Sequence, residues 1–268
     1  MTDIVNAIYS IRQFDELSRR RSPVHRLHPV TKLSVVLLYT LLLVSFGKYE
    51  VVSILPFIFF PVYLAAAGGI SPKPLLKRLV WVEPMIITVG LLNPLFDHSR
   101  VFAWGHEISA GWLTSASIIL KGTLAVTAAL LLIATTGMEG VSLSMRKLGV
   151  PKIFVLQMTM TYRYLSVLLE ETARIIQAHS LRALGHNGLG RQTWGPLLGQ
   201  ILLRTVDRAQ RVYNAMLLRG FTGEYRTGGT AVFGRSDVLF ILLWSAFFIM
   251  SRRFNIPFWL GSIMTGAK

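Results

Sequence analysis

Arg182 and Arg219 are the residues of this chain whose type and setting point most directly to chemistry, and that chemistry is docking. They stand in Ser180-Leu181-Arg182-Ala183 and in Ala215-Met216-Leu217-Leu218-Arg219-Gly220-Phe221, and each closes a basic amphipathic segment. A guanidinium is a planar fork of donors that binds a carboxylate or backbone carbonyls bidentately in a partner's groove. Leu181 and Ala183 flank the first arginine, Leu218 and Gly220 the second. Two helices that end alike and face one compartment suggest two grips on a partner rather than one catalytic centre.

Other polar residues offer less. Glu83, Lys121 and Arg163 stand in apolar surroundings. A charge at such depth faces a protein interior or a partner and is a candidate for function. The structural alternative is that Glu83 reaches the membrane interface and Lys121 snorkels or pairs within the fold. The chain has six histidines, and no two stand at helical ligand spacing with a carboxylate. Asp97, His98 and His106 share a loop that could meet a passing metal ion, but a solvated loop is the simpler reading, and no metal site is assigned. No Ser/His/Asp grouping stands out by spacing, so no catalytic residue is assigned. Gly185-His186-Asn187-Gly188-Leu189-Gly190 lacks the lysine of a phosphate loop and reads as a flexible linker.

The elements that position these residues belong to a membrane protein. The 268 residues are 52% hydrophobic with a mean hydropathy of +0.51, and the apolar residues gather in long runs. The absence of cysteine excludes disulfides and thiolate metal sites. A net charge of +15 would suit nucleic acid, but the basic residues flank apolar segments. That is the pattern of a positive-inside membrane protein, so the implied partner is a lipid bilayer. Four apolar spans, 31–46, 51–67, 79–96 and 112–136, precede a polar insert, and a fifth, 238–250, follows it. Each is near the roughly 20 residues that cross a bilayer. Glu83-Pro84 and Asn93-Pro94 interrupt the third, where neighbouring helices can satisfy the freed carbonyls. Residues 1–30 lack the apolar core of a signal peptide, and 4–17 could form a short amphipathic helix.

Charge sets the expected orientation. Residues 1–32 carry six Lys/Arg, and 137–235 carry thirteen against five acids. The loop 71–78 adds Lys73, Lys77 and Arg78, whereas 47–50 and 97–110 hold only Lys48 and Arg100. The N-terminus, the 71–78 loop and the insert are therefore expected in the cytoplasm. Five spans then leave the C-terminus outside, although Arg252, Arg253 and Lys268 lie there. Partial insertion of 151–169 would change that count.

The chain thus reads as three regions. Residues 1–136 are a leader and four-span membrane region, 137–235 a cytoplasmic or interfacial helical region, and 236–268 a C-terminal membrane helix and tail. Within the middle region a short helix over 138–148 ends at Gly149 before Pro151. A long segment covers 151–184, and a further helix covers 196–218. In the latter, Leu202, Val206, Ala209, Tyr213 and Met216 recur at three- and four-residue steps, with Arg204, Asp207, Arg208 and Arg211 on the other side. The apolar face could pack on the same chain, lie among lipid headgroups or meet another membrane-level protein.

Leu27-His28-Pro29-Val30-Thr31-Lys32, Leu92-Asn93-Pro94-Leu95-Phe96, Leu148-Gly149-Val150-Pro151, Thr161-Tyr162-Arg163-Tyr164 and Leu168-Leu169-Glu170-Glu171 carry a family resemblance, with the segment 215–223 its strongest part. The chain resembles the T component (EcfT) of energy-coupling factor transporters, in particular the cobalt-type CbiQ branch. The resemblance implies an all-α polytopic membrane protein of five to six membrane helices with a cytoplasmic pair of coupling helices. It further implies that these helices end in Ala-Arg-Gly-like motifs, here Leu181-Arg182-Ala183 and Leu218-Arg219-Gly220. Only the arginines and the second glycine match that pattern.

The same resemblance implies partners: two ABC ATPase subunits (CbiO- or EcfA-like) that bind ATP and Mg, and a substrate-binding S component (CbiM-like). The T component would be non-catalytic, bind no cofactor and serve cobalt uptake in a bacterial or archaeal plasma membrane. Nickel and vitamin transporters use related scaffolds. A self-sufficient secondary transporter would instead require internal repeats and a midplane site made by broken helices; the Pro-interrupted third span is one such helix, but no matching second half is seen.

Overall fold

The computed structural model describes residues 17–18, 20, 22–96, 100–103, 106–182, 191–223 and 233–253. In chain order the helices are α1 (Pro23–Arg26), α2 (Pro29–Val44), α3 (Val51–Gly68, with a 3₁₀ turn at Leu55–Ile58) and α4 (Pro72–Phe96). The strands β1 (Arg100–Ala103) and β2 (His106–Ser109) precede α5 (Ala110–Lys147), α6 (Lys152–Arg182), α7 (Arg191–Leu218) and α8 (Arg235–Arg253). The chain divides into two compact units, one within Met138–Thr230 and one built from Leu17–Gly137 and Ala231–Lys268. The fold is that of an all-α helical membrane protein. By length and apolarity, α3 and α5 suffice to cross a membrane, and α2 is apolar but shorter.

Several boundaries differ from the sequence expectation. Residues 72–78 are not a loop but the first turns of α4, opened by Pro72, where a missing N–H leaves nothing unpaired. The segment 100–109 is an antiparallel hairpin that pairs Val101 with Ile108. These β-branched residues favour extended backbone. Helix α7 begins at Arg191, five residues before Pro196, which lies inside the helix at the cost of one backbone hydrogen bond. The expected helix over 4–17 lies outside the described residues, except Leu17.

The expected helices 112–136 and 138–148 meet in α5, which is interrupted at Gly137 (φ 72°, ψ 155°). That left-handed φ favours glycine, and a Cβ there would also stand 3.1 Å from Ser18 Oγ. The break coincides with the boundary between the two units.

The core of the larger unit is aromatic. Tyr39, Phe57, Phe60 and Phe248 are fully buried, and Phe57 stacks on Phe248 at 5.4 Å. Pro61 has no N–H to give the carbonyl of Phe57, four residues earlier. Tyr39 Oη donates to that carbonyl at 3.2 Å, so the proline is accommodated inside an apolar segment. Helices α4 and α5 approach closely through glycines: a Cβ on Gly122 would stand 2.8 Å from Ile86, and one on Gly90 2.9 Å from Ile119.

Helices α2 and α8 pack in parallel, tied at both ends. At their start, Asp237 Oδ1 accepts the backbone N–H of His28 at 2.7 Å. At their finish, Arg252 donates to the Ser45 carbonyl at 3.1 Å and to Glu50 at 3.0 Å. Arg252 also lies over the Phe46 ring at 4.5 Å. Arg252 is therefore committed to the 45–50 turn. Of the basic residues that ran against the charge count, Arg252 is thus engaged in the fold, Arg253 is exposed and Lys268 lies outside the described residues.

Candidate functional site

The long helices α6 and α7 carry the two arginines. At 31 and 28 residues they are each about 40–45 Å long. They run antiparallel. Ile153 and Leu156, early in α6, share an apolar groove of about 560 Å³ with Met216 and Phe221 at the end of α7. Further along, Glu171 of α6 accepts from Arg204 of α7 at 2.6 Å and lies 3.8 Å from Arg208. The hydrogen bond from Arg204 holds the Glu171 carboxyl below the usual carboxylate range. The crossing is thus fixed by one carboxylate between two guanidiniums, an arrangement stronger than an isolated surface pair.

Antiparallel packing puts Arg182 and Arg219 at opposite ends of the pair. Arg219 lies beside the start of α6 and Arg182 at its finish, about 40 Å along the helix. Both arginines are exposed. So are their leucine neighbours: Leu181 is 73% and Leu218 89% exposed. A leucine left so bare beside an arginine at each helix end is what a docking tip presents. Ala183 lies outside the described residues.

The end of α7 is built by local chemistry. The Gly220 N–H donates to the Leu217 carbonyl at 2.9 Å and the Phe221 N–H to the Met216 carbonyl at 3.0 Å. This pair of bonds closes the helix on a left-handed residue, and Gly220 has φ 77°. Arg219 is therefore held at the cap. An alanine at 220 costs about 1 kcal/mol in that conformation. Amide exchange of Leu217–Phe221 in Gly220→Ala should accelerate about fivefold; unchanged protection would show that the cap does not hold the tip.

The face expected to dock divides differently from the sequence reading. Leu202 (64%) and Val206 (46%) are exposed away from the groove; Ala209 and Tyr213 (55%) are exposed along its edge, and Met216 is half-buried in it against α6. A second stripe, Leu197, Ile201, Thr205, Arg208 and Val212, is buried or half-buried. Arg208 therefore leaves the polar side assigned from sequence, because Glu171 draws it toward α6. The outward stripe extends to Trp194, Leu198 and Leu217, all exposed. The signal was present as two adjacent ridges of four-residue spacing.

The apolar-region charges are placed as follows. Glu83 Oε1 accepts from Thr123 Oγ1 at 2.7 Å, joining α4 to α5. Lys121 donates to the carbonyls of Phe46 at 2.7 Å and Gly47 at 3.3 Å, beyond the end of α2. A cation there offsets the negative end of the helix. Arg163 lies on the exposed side of α6, two residues from groove-lining Thr161. Within the larger unit Glu83 and Lys121 thus have separate partners. Among the described residues no group of three or more His, Asp and Glu is placed to hold a metal. Asp97, His98 and the segment 185–190 lie outside the described residues.

Sequence reading overlooked a buried polar node. Asp237 is 4% and Lys32 3% exposed. Lys32 Nζ donates to the Thr135 carbonyl at 2.7 Å, and Asp237 Oδ2 accepts the Gly234 N–H at 2.9 Å. Two charges inside the termini of apolar spans were the available signal.

The family model described as CbiQ, cobalt transport protein, matches residues 20–228. An energy-coupling factor transporter transmembrane protein EcfT of Acidaminococcus fermentans is 28% identical over 88% of this chain and 94% of its own length. A second EcfT, from Thermosediminibacter oceani, is 26% identical over 77% of this chain and 83% of its own. An uncharacterised protein of Methanocaldococcus jannaschii is 22% identical over 79% and 76%. With that match running from α1 through both arginine-tipped helices, the chain belongs to the CbiQ family of cobalt transport proteins, the transmembrane T components of energy-coupling factor transporters.

Proposed function

We propose that this chain is the non-catalytic coupling scaffold of an ATP-driven importer. The single observation that carries this reading is the placement of Arg182 and Arg219 at opposite ends of one antiparallel helix pair. Two tips about 40 Å apart suit two separate ATPase subunits, one per tip. ATP-driven closure of those subunits would move the tips relative to each other. The Glu171–Arg204–Arg208 clasp supports transmission of that motion as a lever instead of its dissipation in a loose pair. The exposed stripe Leu202, Val206, Ala209 and Tyr213 offers an apolar surface for a membrane-embedded S component. The chain would bind no nucleotide itself, leaving ATP and Mg to its partners. A cytoplasmic N-terminus is the reading that the charge pattern supports. Cobalt is the proposed cargo, after the family's description.

The test is reconstitution in liposomes. Alone, the chain should neither hydrolyse ATP nor accumulate cobalt. With two ATPase subunits it should form a membrane complex, and uptake should additionally require the S component. Saturable, concentrative cobalt uptake by the single chain would refute the scaffold and favour a secondary transporter. Uptake by the full complex of nickel or a vitamin, but not cobalt, would revise only the cargo.

A further inference from the structure

A second site lies away from the coupling helices, at the start of α8. A cleft of about 930 Å³ opens between α1, α3 and α8. Arg26, the last residue of α1, and Arg235, the first of α8, line it, and both are exposed. Among the described residues neither guanidinium is paired with a carboxylate. Asp237 also lines the cleft, but its two oxygens already accept the N–H groups of His28 and Gly234, and its single charge faces two guanidiniums. The cleft therefore retains positive charge without a counterion.

The other walls are apolar. Leu239 (65% exposed) and Leu243 (55%) stand one and two helical turns beyond Arg235, so the three form one ridge of α8. Tyr63 of α3, 44% exposed, faces the same cleft. A soluble anion has no use for that ridge. A molecule with an anionic phosphate at one end and a hydrocarbon chain at the other fits both parts. We propose that this cleft binds an anionic phospholipid, its phosphate between Arg26 and Arg235 and an acyl chain along Leu239 and Leu243. The arginines lie on the side that the charge pattern assigns to the cytoplasm, where the leaflet carries anionic lipid.

The experiment is native mass spectrometry of the full chain purified in detergent, titrated with phosphatidylglycerol, phosphatidylcholine or inorganic phosphate. One phosphatidylglycerol should be retained in preference to phosphatidylcholine. In Arg26→Gln/Arg235→Gln its binding should weaken about thirtyfold, the loss of two juxtamembrane cations. Arg26→Lys/Arg235→Lys should keep most of the affinity. Arg253→Gln, an exposed guanidinium at the far end of α8, should change nothing. Helical circular dichroism should match across all variants, since the substituted side chains are exposed. Equal retention of phosphatidylglycerol by wild type and the double Gln variant would overturn the proposal. So would arginine-dependent binding of inorganic phosphate with no preference between the two lipids, which would make the cleft a soluble-anion site.

Discussion

Arg182→Ala/Arg219→Ala should abolish ATP-dependent uptake while leaving the chain folded and in the membrane. Both side chains are exposed at helix ends, so their removal opens no cavity in the fold. In a groove of a partner the balance reverses. A bidentate guanidinium that is shortened leaves its acceptors buried and unpaired, a loss of about 1.5–3 kcal/mol per charge-assisted bond. Each tip should therefore lose on the order of tenfold to a hundredfold in affinity for its ATPase. Pull-down of the ATPase subunits reads the association, and transport in vesicles reads the coupling. Each single variant should retain attachment through the other tip but fail to couple, because a lever gripped at one end transmits no relative motion. Normal uptake by the double variant at equal expression would remove both arginines from the coupling role.

Asp237→Ala should be the most destabilising single change in the larger unit. It strands the N–H groups of His28 and Gly234. Leaving a donor without its acceptor costs about 1–3 kcal/mol per group. For a chain of this size that corresponds to a fall of roughly 10 °C in thermal midpoint. A melting temperature in detergent unchanged from wild type would show that the node is not a structural tie. Asp237→Asn should fall between, since the amide keeps one acceptor.

The two predictions rest on different kinds of information. The arginine tips were legible in sequence because their chemistry is local. Amphipathic spacing of three and four residues marks a helix face, and Leu218-Arg219-Gly220-Phe221 contains its own stop signal, which the backbone bonds of Met216 and Leu217 realise. Apolar run length marked the membrane helices for the same reason: a bilayer reads composition over one continuous segment. Where local signals competed, the boundaries shifted. Pro72 opened a helix instead of a loop, whereas the expected break between 112–136 and 138–148 falls at Gly137.

Long-range pairing decided the rest. Asp237 meets the His28 backbone across more than two hundred residues, and Arg252 meets Glu50 and Ser45 at a similar separation. No periodicity reports such partners, so Lys121 read as a possible functional charge until the carbonyls of Phe46 and Gly47 were seen to hold it. The same holds for the coupling pair. Sequence determined that two amphipathic helices each end in an arginine. Only the tertiary structure decided that they run antiparallel, with Glu171 clasped by Arg204 and Arg208, and so that the tips point to opposite ends. A helix's apolar faces can be counted along the chain, but which face meets a neighbour, and in which direction, is set by packing between segments that the chain itself does not order.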